Sequence, residues 1–150
     1  MNTFKLAVLV SGRGSNLQAI IDSIEREELD AYISIVISNT RDAMALKRAK
    51  EHGIKTIFID PAKHSDSKEY DKTLTDKLKE YSIDLICLAG YMRILGGEVI
   101  QTFEKKIINI HPSLLPAFPG LNPQKQAIEH GVKFSGCTVH FVDLGVDSGP

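Results

Sequence analysis

Lys5-Leu6-Ala7-Val8-Leu9-Val10-Ser11-Gly12-Arg13-Gly14-Ser15-Asn16 is the stretch that decides the fold. Its first half is an apolar run without the polar alternation of a half-exposed strand, so it reads as a strand buried on both faces. The run ends at Ser11-Gly12, and Ser15–Glu27 then places Leu17, Ile20, Ile21 and Ile24 on one helical face. A buried strand, a glycine turn and an amphipathic helix open a β-α-β unit.

The same alternation runs outward along the chain. Strand Ile33–Ser38 precedes helix Asp42–His52, which Gly53 ends, and strand Thr56–Ile59 follows. Ser67–Tyr81 is a charged helix with Tyr70, Leu74 and Leu78 inward, and strand Asp84–Leu88 comes next. A short helix near Glu98–Phe103, strand Lys106–Ile110, a proline-rich loop through Pro112, Pro116, Pro119, Gly120 and Pro123, and strand Thr138–Val142 complete the series. This order predicts an α/β fold: a single doubly wound, mostly parallel sheet with helices on both faces, residues 1–150 forming one domain.

Composition narrows the function. Eighteen basic residues against nineteen acidic give a net charge of −1, which gives no reason to expect a nucleic-acid groove or an anionic membrane surface as partner. Phe4–Val10 is too short to span a membrane and carries no cleavage site, so a cytoplasmic protein is expected. Cys87 and Cys137 lie in apolar runs with no C-x-x-C spacing and are expected to be buried, reduced thiols. No clustered Cys/His spacing points to a metal.

Ligands of such sheets gather beyond the carboxyl ends of the strands. After the first strand, Gly12, Arg13, Gly14, Ser15 and Asn16 combine a tight turn with the positive end of a helix, which suits a phosphate; the plain alternative is a turn capped by Ser15 or Asn16 with nothing bound. A dinucleotide fingerprint would need glycine at Leu17, and no acidic residue ends the second strand at Ile37-Ser38-Asn39-Thr40. No Gly-Lys-Ser/Thr of a P-loop is present. A sugar phosphate fits better than NAD or ATP.

The run Ile107-Ile108-Asn109-Ile110-His111 breaks an apolar strand with polar residues at its carboxyl end. Asn109 and His111 project to one side, roughly 6–7 Å apart. A proton carrier beside a fixed N–H donor is half of an acyl-transfer site, and a hydrogen-bonded core pair is the competing reading. Asp147 in Val146-Asp147-Ser148-Gly149-Pro150 is the candidate carboxylate, although Asp before Ser-Gly-Pro is also ordinary turn chemistry. His140 is expected to be structural, and His52, His64 and His130 to lie at the surface.

Four blocks taken together closely resemble the folate-dependent formyltransferases: Ser11-Gly12-Arg13-Gly14-Ser15-Asn16-Leu17-Gln18, Leu88-Ala89-Gly90-Tyr91-Met92-Arg93-Ile94-Leu95, Asn109-Ile110-His111-Pro112-Ser113-Leu114-Leu115-Pro116 and Asp147-Ser148-Gly149-Pro150. The glycine loop and Phe118-Pro119-Gly120 point, within that group, to the phosphoribosylglycinamide formyltransferases. The resemblance implies a Rossmann-like fold and transfer of a formyl group from the cosubstrate 10-formyltetrahydrofolate to the amine of glycinamide ribonucleotide, by a monomer or homodimer acting on small molecules without a metal. It implies that Gly14, Ser15 and Asn16 hold the phosphate, and that Met92, Arg93, Ile94 and Leu95 line the pterin pocket through backbone groups. It implies too that Asn109 binds the formyl oxygen, that His111 and Asp147 manage protons and charge, and that Lys68 is the candidate for the folate tail.

Three departures from the family pattern bear on this. Asn122-Pro123 stands where His-Ala is usual. Lys68 aligns only across a gap. The family continues past Pro150 with a further strand and a C-terminal helix, so a truncated C-terminal end is expected. Rivals of the same chemistry differ by motif: a methionyl-tRNA formyltransferase is expected to have Arg in place of Pro119 and a basic C-terminal domain, and a formyltetrahydrofolate hydrolase a regulatory domain before the core. A non-catalytic ribonucleotide-binding module would keep Gly12–Asn16 but release no tetrahydrofolate.

Overall fold

The computed structural model describes residues 3–150. Strands β1 (Phe4–Val10), β2 (Ala31–Ser38), β3 (Thr56–Phe58), β4 (Leu85–Leu88), β5 (Ile107–His111) and β6 (Thr138–Phe141) form one sheet. Helices α1 (Ser15–Glu25), α2 (Met44–Glu51), α3 (Ser67–Glu80), α4 (Gly97–Thr102) and α5 (Pro123–His130) connect them, with a 3-10 turn at Pro61–Lys63. The spatial order is β3-β2-β1-β4-β5-β6. Four neighbouring pairs are parallel, and only β6 runs antiparallel to β5. The sheet is thus mostly parallel and doubly wound, as the alternation of elements predicts.

Two cores explain why the strands are apolar on both sides. Leu6, Val8 and Val10 pack with Leu17 and Ile21 of α1 and with Ala45, Leu46 and Ala49 of α2. Ala7 and Leu9 face the other way, toward Tyr70, Leu74 and Leu78 of α3 and Val99 and Ile100 of α4. β2 reaches both cores through a bulge: Leu6 pairs with Ile33 but Ala7 with Ile35, leaving Ser34 as the extra residue. The alternation therefore shifts by one, so Ile33 joins the α1–α2 core while Ile35 and Ile37 join the α3–α4 core. The start of α3 is fixed by Asp66, whose side chain accepts the Glu69 N–H at 2.8 Å, while the Glu69 carboxylate accepts the Ser65 N–H.

From β1 the chain winds outward through β2 to β3, then returns through α3 to lay β4 on the opposite side of β1. The strand order reverses between β1 and β4. The loops after these two strands therefore diverge and leave a crevice at their carboxyl ends.

The structure corrects several expectations. The segment read as loop beyond Pro119 contains α5, with Pro123 at its first turn and Gly131 closing it at φ 77°. Proline needs no N–H partner there, and glycine tolerates the left-handed closing conformation. His64 is half-buried rather than at the surface: its ring lies 2.8 Å from the Asp60 carbonyl and 3.0 Å from the Thr73 hydroxyl. Cys137 is exposed, because it precedes an edge strand whose outer face is bare, whereas Cys87 is buried in the sheet. Burial pushes the Cys87 thiol up to about 11. At neutral pH a thiol reagent should therefore label Cys137 quickly and Cys87 only on unfolding, a one-then-two stoichiometry readable by mass spectrometry.

Candidate active site

The loop after β1 is shaped by its contact with α2. Gly14 has φ +75°, and a Cβ there would sit 2.6 Å from the Ala45 Cβ, so both backbone conformation and space require glycine. Two further bonds hold the loop against that helix: Ala45 N–H to the Gly12 carbonyl at 3.0 Å, and Arg48 Nε to the Arg13 carbonyl at 2.7 Å. Gly14 itself caps α1 with no side-chain hydrogen bond, so neither Ser15 nor Asn16 is the cap. The first intrahelical bond is Gln18 N–H to the Gly14 carbonyl. The N–H groups of Ser15 and Asn16 have no intrahelical partner at the positive end of the helix, and Gly12, Arg13, Ser15 and Asn16 are exposed around them. Gly14→Ala should cost about 1–3 kcal/mol in stability by denaturant titration, from strain plus overlap with α2.

The loop after β4 alternates its side chains. Met92 and Ile94 point to solvent at 70% and 81% exposure, while Leu95 is buried in the α3–α4 core. The Arg93 guanidinium lies 4.1 Å from the centre of the Tyr70 ring, a cation–π contact that takes this side chain onto α3. The buried Asp71 of α3 lies beside Arg93 and the Gly96 backbone. Desolvation pushes its carboxyl above the usual range, opposed by the Gly96 N–H and the Arg93 charge. Main-chain groups and two bare apolar side chains are what this loop offers a flat ligand. Lys68 is exposed in the first turn of α3, with no contact that brings it to the residues below.

Asn109, His111 and Asp147 come together, and His140 joins them. The His111 Nδ1 is 3.4 Å from Asp147 Oδ2, with the two side chains only 6% and 11% exposed. His111 Nε2 lies 2.8 Å from the Phe118 carbonyl, which can only accept, so Nε2 carries a proton. In the neutral ring the Nδ1 lone pair therefore faces Asp147, and in the charged ring an N–H does. Asp147 Oδ2 also accepts the Gly120 N–H at 2.9 Å, and Oδ1 is 3.8 Å from His140 Nε2. Asn109 Nδ2 stands 3.5 Å from His140 Nε2, at the outer limit of a hydrogen bond, so its amide is only loosely committed. Register explains the meeting of residues so distant in sequence: Asn109 pairs with His140 across the β5–β6 ladder. The His140 ring, expected to be structural, faces both the carboxylate and the amide.

The segment 112–122 wraps this cluster. Ser113, fully buried, donates to the Ala117 carbonyl and lies 3.3 Å from that of Phe118. Thr138 accepts the Leu115 N–H and donates to the Ser113 carbonyl, tying the loop to β6. At the departure Asn122-Pro123, Asn122 adopts φ 52° and Pro123 begins α5, while Gln126 donates to the carbonyls of Pro119 and Leu121. A cleft of about 600 Å³ runs between α1 and the sheet, with Asn16, Ala89 and Asn109 on its wall. Of the glycine loop only Asn16 lines this cleft, and of the polar cluster only Asn109. A second recess of about 1200 Å³ lies along β6 and α4, and of the cluster only His140 reaches it. Among the described residues no group of three or more His, Cys, Asp or Glu could hold a metal ion, and no helix is long and apolar enough to cross a membrane.

Residues 4–150 match the family described as formyl transferase. The phosphoribosylglycinamide formyltransferase of Haemophilus influenzae is 48% identical over 145 residues, covering 97% of this chain and 68% of that protein. The human trifunctional purine biosynthetic protein adenosine-3 is 49% identical over 145 residues, of which the chain spans only 14%. Among solved structures, glycinamide ribonucleotide transformylase 1 from Symbiobacterium toebii superposes with a TM-score of 0.97 at 48% identity, covering 100% of this chain and 71% of that one.

Proposed function

The chain belongs to the formyl transferase family, and from that premise we propose that it transfers the formyl group of 10-formyltetrahydrofolate to the primary amine of glycinamide ribonucleotide in purine synthesis. The observation that carries this reading is a shared cleft: Asn16, from an open helix start suited to a phosphate, and Asn109, from the cluster in which His111 faces Asp147, line the same wall. Residues 1–150 are the N-terminal and central part of the formyltransferase domain, which acts in the cytoplasm, as monomer or homodimer, on small molecules rather than nucleic acid.

In this mechanism the ribonucleotide phosphate is held by the N–H groups at Gly14, Ser15 and Asn16, with Gly12 and Arg13 around it. The pterin lies against the main chain of Met92–Leu95, and Lys68 reaches the folate tail. The neutral amine attacks the formyl carbon, forming a C–N bond as the carbonyl electrons move onto oxygen. Asn109 Nδ2 donates to that oxygen, where negative charge develops. His111 takes the proton released by the amine, and Asp147 balances the imidazolium. The proton is delivered to N10 of the folate as the C–N10 bond breaks, leaving the formylated ribonucleotide and tetrahydrofolate.

Incubating the protein with 10-formyl-5,8-dideazafolate, with and without glycinamide ribonucleotide, tests the reading. Donor consumption that requires the amine supports transfer. Consumption without it indicates a hydrolase, and none at all indicates a binding module.

A further inference from the structure

Ser11 is the last residue before the glycine loop, and its hydroxyl is used in both directions. It donates to Asn39 Oδ1 at 2.5 Å and accepts the Met92 N–H at 2.8 Å. The backbone ladder between β1 and β4 ends one step earlier, with Ala89 N–H on the Leu9 carbonyl at 2.9 Å. Beyond that rung, Ser11–Met92 is the one hydrogen bond among the described residues that joins loop 11–16 to loop 90–96. The two loops are the ones given above to the ribonucleotide phosphate and to the pterin.

We propose that Ser11 is a positioning residue that couples the two substrate sites, so that binding at the glycine loop pre-orders the Met92–Leu95 main chain for the folate. The inference rests on the transfer reading above. The coupling is built into the topology. Ser11, Asn39 and Met92 follow the carboxyl ends of β1, β2 and β4, three adjacent strands at the reversal point, and one hydroxyl fixes all three loop exits. A phosphate on the Gly14–Asn16 N–H groups restrains the Gly12–Gly14 turn, which α2 already holds from outside through Ala45 and Arg48. Restraint of that turn fixes Ser11, and Ser11 fixes the Met92 N–H. Two hydrogen bonds through one hydroxyl polarise one another, so the pair acts as a unit. By linkage the effect is reciprocal: the folate must tighten ribonucleotide binding by the same factor.

The test is calorimetric titration of a non-reactive folate analogue in the presence and absence of glycinamide ribonucleotide. Coupling through one hydrogen-bonded hydroxyl should tighten analogue binding about fivefold in the unaltered protein. In Ser11→Ala the ratio should fall to about one. The donor KM should rise about fivefold while kcat at saturation changes less than twofold. Ser11→Thr, which keeps the hydroxyl, should restore the coupling; Asn39→Ala should weaken it without touching either loop, and provides the measurement if Ser11→Ala does not fold. Coupling that persists in both Ser11→Ala and Asn39→Ala, or kcat and KM shifts that Ser11→Thr fails to rescue, overturns the proposal. If the unaltered protein binds neither ligand, the transfer reading falls and this inference with it; if it binds both without coupling, only this inference falls.

Discussion

Asp147→Asn is expected to lower turnover by about 10²–10⁴-fold with both substrates saturating. Asparagine has nearly the same shape, so its side-chain carbonyl still accepts the Gly120 N–H and the 112–122 segment keeps its anchor. What disappears is the negative charge between two imidazoles, 3.4 Å from His111 and 3.8 Å from His140. With Nε2 already donating to the Phe118 carbonyl, His111 would face an amide instead of a carboxylate, and the imidazolium formed during proton transfer would lose its counter-charge. His111→Ala should cost a similar factor, and the double variant little more, because the two residues act as one unit. A thermal midpoint that stays within a few degrees while kcat collapses would separate this loss from unfolding. An Asp147→Asn enzyme of normal turnover would remove the carboxylate from the mechanism.

Asn109→Ala should also lower kcat, by about 3 kcal/mol of transition-state stabilisation, roughly 10²-fold. Its amide is held only by a 3.5 Å approach to His140, so it is free to turn toward an oxygen that becomes negative during the reaction. The neutral formyl oxygen needs that donor far less, and KM for either substrate should therefore change little. Steady-state kinetics with both substrates varied will show whether the loss sits in kcat. A rise in KM at constant kcat would make Asn109 a ground-state binding residue instead.

Much of this was legible in local sequence because it rests on local physics. The apolar runs Leu6–Val10 of β1 and Ile35–Ile37 of β2 require burial on both faces, and Tyr70, Leu74 and Leu78 recur at the helical period that puts them at 1% exposure or less. Asn109 and His111 stood out because polar residues interrupt a strand where they are costly. Other features depend on contacts far apart in the chain. Ser11 reads as the end of a strand until β2 and β4 bring Asn39 and Met92 to it, 28 and 81 residues away. His140 looks like one buried residue of a strand until antiparallel pairing sets it opposite Asn109.

Two misreadings share a cause. α5 buries only Pro123 and Ala127 and leaves Ile128 80% exposed, so it carries almost no apolar stripe to betray a helix. Cys137 precedes the edge strand β6, where Val139 and Phe141 are themselves exposed, so an apolar neighbourhood in sequence did not mean a buried one in space. Pro123 at a helix start and Gly131 at its end were the available signals for α5.

The central claim is direct transfer of one carbon between two substrates held across a single cleft. Its most direct test is carbon NMR with a donor labelled in the formyl carbon. The account predicts that the label moves to the amine nitrogen of glycinamide ribonucleotide, one formamide formed for each donor consumed, with no free formate in the unaltered enzyme. Label appearing as formate, with the ribonucleotide unchanged, would contradict it.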